Sequence, residues 1–150
     1  MRKLKKISKG AAVVFIVIAI IAAIVIKHNS HPPKLHDITL VRVEYNQRIA
    51  KLLSLRPQIE IEDDEQIEKI VDCFNARSSY ETGCDCPSHD IIIHFISDKR
   101  EYTYNIGITG DVRIQYSENP DKDIVGIDID RIIEILKQVP GNENLKYPIE

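Results

Sequence analysis

An unbroken apolar run near the N-terminus limits the possible structures of this chain more than any other feature of its sequence. The run covers residues 10–26 and contains no charged residue, no proline and no side-chain amide. A helix of this length covers roughly 26 Å, close to the ~30 Å hydrocarbon core of a bilayer. Because backbone groups in lipid must bond to one another, the run predicts a transmembrane helix over residues 10–26.

The charges on either side of the run predict its orientation. Only Lys27 and Lys34 follow it closely, whereas five basic residues precede it, namely Arg2, Lys3, Lys5, Lys6 and Lys9. The positive-inside rule therefore makes residues 1–9 a cytoplasmic basic tail and places the C-terminal portion outside the cell membrane, as in a single-pass signal-anchor protein. The expected partner of residues 10–26 is the lipid bilayer.

A cleaved signal peptide is the alternative reading of the N-terminus. Such a peptide also begins with a basic segment and an apolar segment, but it ends in a cleavage site of the Ala-x-Ala kind, which this chain lacks. An uncleaved anchor and a cleaved signal peptide would both place the same C-terminal domain outside the membrane.

The chain beyond the apolar run is acidic. All 23 Asp and Glu follow the run, together with 15 of the 20 Lys and Arg, so residues 27–150 have a formal net charge of −8. Proteins that bind nucleic acid usually present the opposite sign, and no nucleic-acid partner is expected. After a linker at 27–36, stiffened by Pro32 and Pro33, about 115 residues remain, which is enough for one hydrophobic core.

Hydrophobic periodicity predicts an α+β fold for residues 37–140. Period-2 alternation predicts strands at 35–45, 57–61, 102–108 and 112–116, with a short run at 124–127. Residues 91–96 are apolar on both faces, which predicts a central strand. Helical spacing and capping residues predict helices that begin near Asp63 and Asp128, whereas residues 46–56 fit either a helical turn or a strand. The expected architecture is a small antiparallel sheet with two helices packed on one face, followed by a frayed C-terminal tail at 141–150.

A loop with the pattern Cys-x-Cys-x-x-His contains the most reactive side chains. Cys84, Cys86 and His89 could supply three ligands to zinc or copper, although a closed zinc site needs a fourth. His94 could add a ligand only if its side chain lies near the loop.

The same cysteines also suggest a disulfide. Thiols outside the membrane meet oxidising conditions, so Cys73 could bond to Cys84 or to Cys86, which would close a loop of about a dozen residues and add ~3 kcal/mol of stability. A bond between Cys84 and Cys86 would form a tight, strained ring. Because three is an odd number, one thiol stays free or pairs between chains.

No catalytic motif is assembled in the sequence. There is no glycine-rich phosphate loop and no His-Glu-x-x-His, and Ser88, His89 and Asp90 are consecutive, so adjacent side chains on a strand would point to opposite faces. The expected function is a non-enzymatic module that binds a protein or peptide partner outside the membrane. The alternative is a metal-binding or redox module centred on Cys84, Cys86 and His89.

Overall fold

The computed structural model describes residues 9–28, 31–76, 78–83, 89–109 and 112–146. The chain forms two compact units, Met1–His31 and Pro32–Glu150. The first contains one helix, and the second is a mixed α+β domain.

Helix α1 of the first unit extends over Lys9–His28 and includes the apolar run. Its described side chains, those of residues 13–22, are exposed; Phe15, for example, is 70% exposed. Among the described residues, no helix has both the length and the apolar character needed to cross a membrane.

One antiparallel sheet of seven strands forms the centre of the second unit. Its spatial order is β2-β1-β4-β5-β6-β7-β3, and every neighbouring pair is antiparallel. The strands are β1 Ile38–Tyr45, β2 Gln58–Ile61, β3 Ser79–Thr82, β4 Ile91–Ser97, β5 Glu101–Gly107, β6 Arg113–Tyr116 and β7 Lys122–Val125. The helices of this unit are α2 Gln47–Leu53, α3 Asp64–Asn75 and α4 Ile129–Lys137.

The predicted fold class is therefore confirmed in its main outline, an α+β domain with an antiparallel sheet. Strand β4 lies between β1 and β5, as expected for a run that is apolar on both faces. Two elements differ from the prediction. The ambiguous segment forms α2, a third helix, and β3 is a strand that the sequence pattern does not indicate.

The hydrophobic core lies on one face of the sheet, beneath the helices. Ile67, Ile70 and Phe74 of α3 are buried as their spacing predicts, and the Phe74 ring packs edge-on against Phe95 and Tyr104 at centroid distances of 4.9 and 4.7 Å. Such aromatic contacts add to the free energy gained by burying apolar surface.

Helices α3 and α4 begin at the predicted capping residues. Asp63 Oδ1 accepts a hydrogen bond from the backbone N–H of Gln66 (2.9 Å), and Asp128 Oδ1 accepts one from the N–H of Arg131 (3.0 Å). Each carboxylate satisfies a donor that has no partner within the helix.

Both boundaries of the domain lie further out than predicted. Residues 32–36 belong to the domain rather than to the linker, because Leu35 is 1% exposed and its backbone is hydrogen-bonded to the Asn75 side chain. At the other end the expectation of a frayed tail is wrong for residues 142–145. Asn142 and Leu145 are buried, and Asn142 Nδ2 donates to the Tyr45 hydroxyl (2.7 Å).

Candidate functional site

The face of the sheet opposite the core is the candidate site, and we call it the open face. Alternation along each strand places its side chains, because Val43, Ile93 and Tyr104 point into the core and their neighbours in sequence point the other way. The open face includes Leu40, Arg42, Glu44, Gln58, Glu60, Glu81, Ile92, His94, Ile96, Glu101, Thr103, Asn105, Arg113, Gln115 and Asp123.

Solvent reaches the open face of the domain. Gln115 is buried there, and its Nε2 donates to Asp123 Oδ1 at 2.9 Å; the other open-face side chains are half-buried or exposed. Antiparallel sheets often have one face on the core and one face in water. The mostly polar side chains of the open face agree with that arrangement.

His94 lies near the middle of the open face, between carboxylates on both neighbouring strands. Its Nδ1 is 2.7 Å from Glu101 Oε1 and 3.1 Å from Thr103 Oγ1, and both contacts lie across the β4–β5 pair. Its Nε2 is 3.7 Å from Glu44 Oε1 on β1. The imidazole is therefore held in one orientation, with 17% of its side-chain surface exposed.

The protonation of His94 decides what these contacts are. When Nδ1 bears the proton, it donates to Glu101; when both nitrogens are protonated, the imidazolium lies between two carboxylates. Nε2 has no hydrogen-bond partner in the described part of the chain, although it is shielded from solvent. The ring therefore has one satisfied nitrogen and one whose nearest anion is beyond hydrogen-bond distance.

The arrangement does not form a catalytic triad. In such a triad the hydroxyl and the carboxylate contact different nitrogens of the imidazole. Here Thr103 and Glu101 both contact Nδ1, so His94 cannot take a proton from Thr103 while Glu101 orients the opposite side of the ring. These contacts provide no relay from the Thr103 hydroxyl through the imidazole to Glu101.

The open face is acidic. It contains five carboxylates, Glu44, Glu60, Glu81, Glu101 and Asp123, and two guanidinium groups, those of Arg42 and Arg113. Arg42 Nε is 3.0 Å from Glu60 Oε1, so these two opposite charges are paired with each other. With a neutral His94 the surface has an excess of negative charge.

The cysteines predicted from the sequence are only partly described. Cys73 lies on the buried side of α3 with a free thiol, and its Sγ–H donates to the Lys69 carbonyl (3.2 Å). Burial raises the pKa of this thiol, which disfavours the thiolate that metal binding or nucleophilic attack requires. Cys84 and Cys86 lie outside the described residues, so the disulfide and metal predictions remain predictions.

His89, the third predicted ligand, is described and exposed. Its backbone carbonyl accepts a hydrogen bond from Asn46 Nδ2 (3.3 Å), which anchors the start of β4. In the described ranges no group of three His, Cys, Asp or Glu side chains could hold a metal ion, the carboxylates around His94 included.

The sequence analysis did not predict that Glu44, Glu101 and Thr103 surround His94. The turn at 97–100 predicts the β4–β5 hairpin, and the hairpin alone would have placed His94 beside Thr103 and Glu101. Glu44 comes from β1, about fifty residues earlier in the chain, and no local pattern indicates that β1 pairs with β4.

Comparisons with protein-family models, with curated proteins and with solved structures found no match to this chain.

Proposed function

We propose that this protein is a single-pass membrane protein whose extracytoplasmic α+β domain binds a protein or peptide partner through the open face, without catalysing a reaction. The observation that supports this proposal most directly is the sheet itself, since the described helices pack on its core face and leave the open face mostly polar and accessible to solvent. A sheet face of this kind can serve as a recognition surface.

The anchor rests on the sequence of the whole run. The apolar run at 10–26 and the basic residues before it form the pattern of a membrane anchor, and this sequence pattern is what supports the proposal. Within α1 the exposed large apolar side chains between Val13 and Ile21 are 48–70% exposed, and a lipid environment would remove that surface from water.

The chemistry of the open face supports a non-enzymatic role for the domain. Catalysis usually needs a concave pocket with convergent polar groups. The open face instead presents side chains along five strands or more, with His94 held by contacts that leave no relay between a nucleophile and a base. Such a surface is suited to an extended partner.

Site-specific photocrosslinking in intact cells tests the proposal. A photoreactive phenylalanine analogue replaces Glu60 on the open face or, as the matched control, the exposed Glu68 on α3 in the helical layer. We expect discrete crosslinked products from position 60 and none from position 68. A third variant at Asn105, on β5 of the open face, should crosslink the same product as position 60.

Equal crosslinking from the two layers, or none from the open face, would contradict the proposed function. Circular dichroism of each purified variant establishes that the substituted chain is folded before the crosslinks are compared.

A further inference from the structure

We propose that the partner of the open face is a cationic, amphipathic peptide segment, an inference that rests on the proposed function and names the chemistry of its partner. Charge complementarity is the first argument, because the five carboxylates of this face outnumber its two guanidinium groups. Arg42 is paired with Glu60, so it offers little repulsion to an incoming lysine.

Apolar side chains among the carboxylates are the second argument. Leu40 and Ile96 are cross-strand partners and half-buried, and Ile96 is also opposite Glu101. Ile92 is likewise half-buried and lies opposite Glu44. Apolar and acidic side chains are therefore cross-strand neighbours on β1, β4 and β5.

This mixture of side chains matches an extended peptide that presents lysines and leucines on the same side, at every second residue. Leucines of such a peptide would cover Leu40 and Ile96, and its ammonium groups would reach Glu44 and Glu101, which lie on opposite sides of His94. Apolar burial would supply most of the affinity, and the ion pairs would supply selectivity for a cation over an anion. An anionic peptide of the same pattern would face repulsion at the same positions.

Binding of two synthetic peptides to the full-length protein tests the inference. The protein is placed in nanodiscs of zwitterionic phosphatidylcholine, and empty nanodiscs provide the reference for partitioning into lipid. The probes are two fluorescent peptides with serine at every second residue. The residues between the serines, which point to one side of the extended chain, are Lys and Leu in the first peptide and Glu and Leu in the second. Fluorescence anisotropy should report saturable binding of the Lys peptide and none of the Glu peptide, and binding should weaken as salt rises from about 50 to about 300 mM.

Two double variants with the same change in net charge locate the contact. E44Q/E101Q neutralises both carboxylates beside His94, whereas E68Q/E134Q neutralises exposed carboxylates of α3 and α4 in the helical layer. We expect the first pair to weaken binding of the Lys peptide by about fivefold and the second by less than about twofold. Thermal unfolding of both variants shows whether either substitution changes the fold.

Equal weakening by the two variants would overturn the inference, because it would show a response to net charge alone. Binding of the Glu peptide, or no binding of the Lys peptide, would overturn it as well. If crosslinks from position 60 persist in that case, the binding function stands and only the cationic partner is wrong. If the crosslinks are also absent, both proposals fall.

Discussion

At the residue scale, the side chain of Asn75 binds the backbone of Leu35 at the N-terminal boundary of the domain. Its Oδ1 accepts a hydrogen bond from the Leu35 N–H, and its Nδ2 donates to the Leu35 carbonyl, each at 2.8 Å. The amide thus satisfies both backbone groups of a residue that is almost fully buried. Buried backbone groups need such partners, so this contact holds residues that would otherwise belong to the linker.

Replacement of Asn75 by alanine should destabilise the domain by about 2 kcal/mol, because a buried N–H and a buried C=O lose their partners. Urea unfolding of residues 32–150 measures the free energy, and trypsin cleavage after Lys34 should become faster in the variant. Asn144→Ala, at an exposed position, is the control and should stay within about 0.5 kcal/mol of the parent. Unchanged cleavage at Lys34 in Asn75→Ala would contradict the role assigned to this amide.

At the scale of the elements, three strands each place a buried tyrosine on the core face of the sheet. Tyr45, Tyr104 and Tyr116 lie on β1, β5 and β6, and all three are buried. Burial raises the pKa of each phenol, to about 12 for Tyr116, where the hydrogen bond with Glu118 acts in the same direction. The folded state therefore retains these protons at a pH where the unfolded state releases them.

The domain should lose stability in alkali for this reason. A phenol in the unfolded chain ionises near pH ~10, so the contribution of Tyr116 to stability is complete below that pH and is lost as the pH rises through about 12. Urea unfolding at several alkaline pH values, with phenolate absorbance as a second signal, measures the effect. Tyr116→Phe should make the decline shallower, and a free energy of unfolding that does not change above pH ~10 would contradict the prediction.

Some of these elements can be predicted from local sequence alone, and others cannot. The caps Asp63 and Asp128 and the helical apolar stripes predicted α3 and α4, because these signals depend on residues within a few positions. Residues 47–53 were ambiguous since seven residues hold too few periods to separate a helix from a strand. Strand β3 was missed because its sequence, SYET, is mostly polar and becomes a strand through its pairing with β7.

At the scale of the whole molecule, charge is divided between the two ends of the chain. Residues 1–26 contain five basic and no acidic residues, whereas residues 27–150 have a net charge of −8. For a chain that inserts in a membrane, this asymmetry favours a cytoplasmic N-terminus.

Protease treatment of intact cells tests that topology. With a tag at each end of the chain, added protease should remove the C-terminal tag from intact cells and leave the N-terminal tag protected until the cells are ruptured. Substitution of Lys3, Lys5 and Lys6 by glutamine should raise the fraction of molecules in the opposite orientation, because it removes most of the charge bias. A C-terminal tag protected in intact cells would contradict the proposed location.

The sequence by itself determined the apolar run, the division of charge, the helix caps and, on strands such as β1, β5 and β6, the alternation that separates core from solvent. These features arise from neighbouring residues, whose spacing can be read directly. Only the tertiary structure decided that β1 lies between β2 and β4, that Leu35 and Leu145 belong to the core, and that Glu44 lies beside His94. Each of these depends on contacts between segments distant in the chain, where burial of shared apolar surface selects the pairing and local periodicity contains no information about the partner.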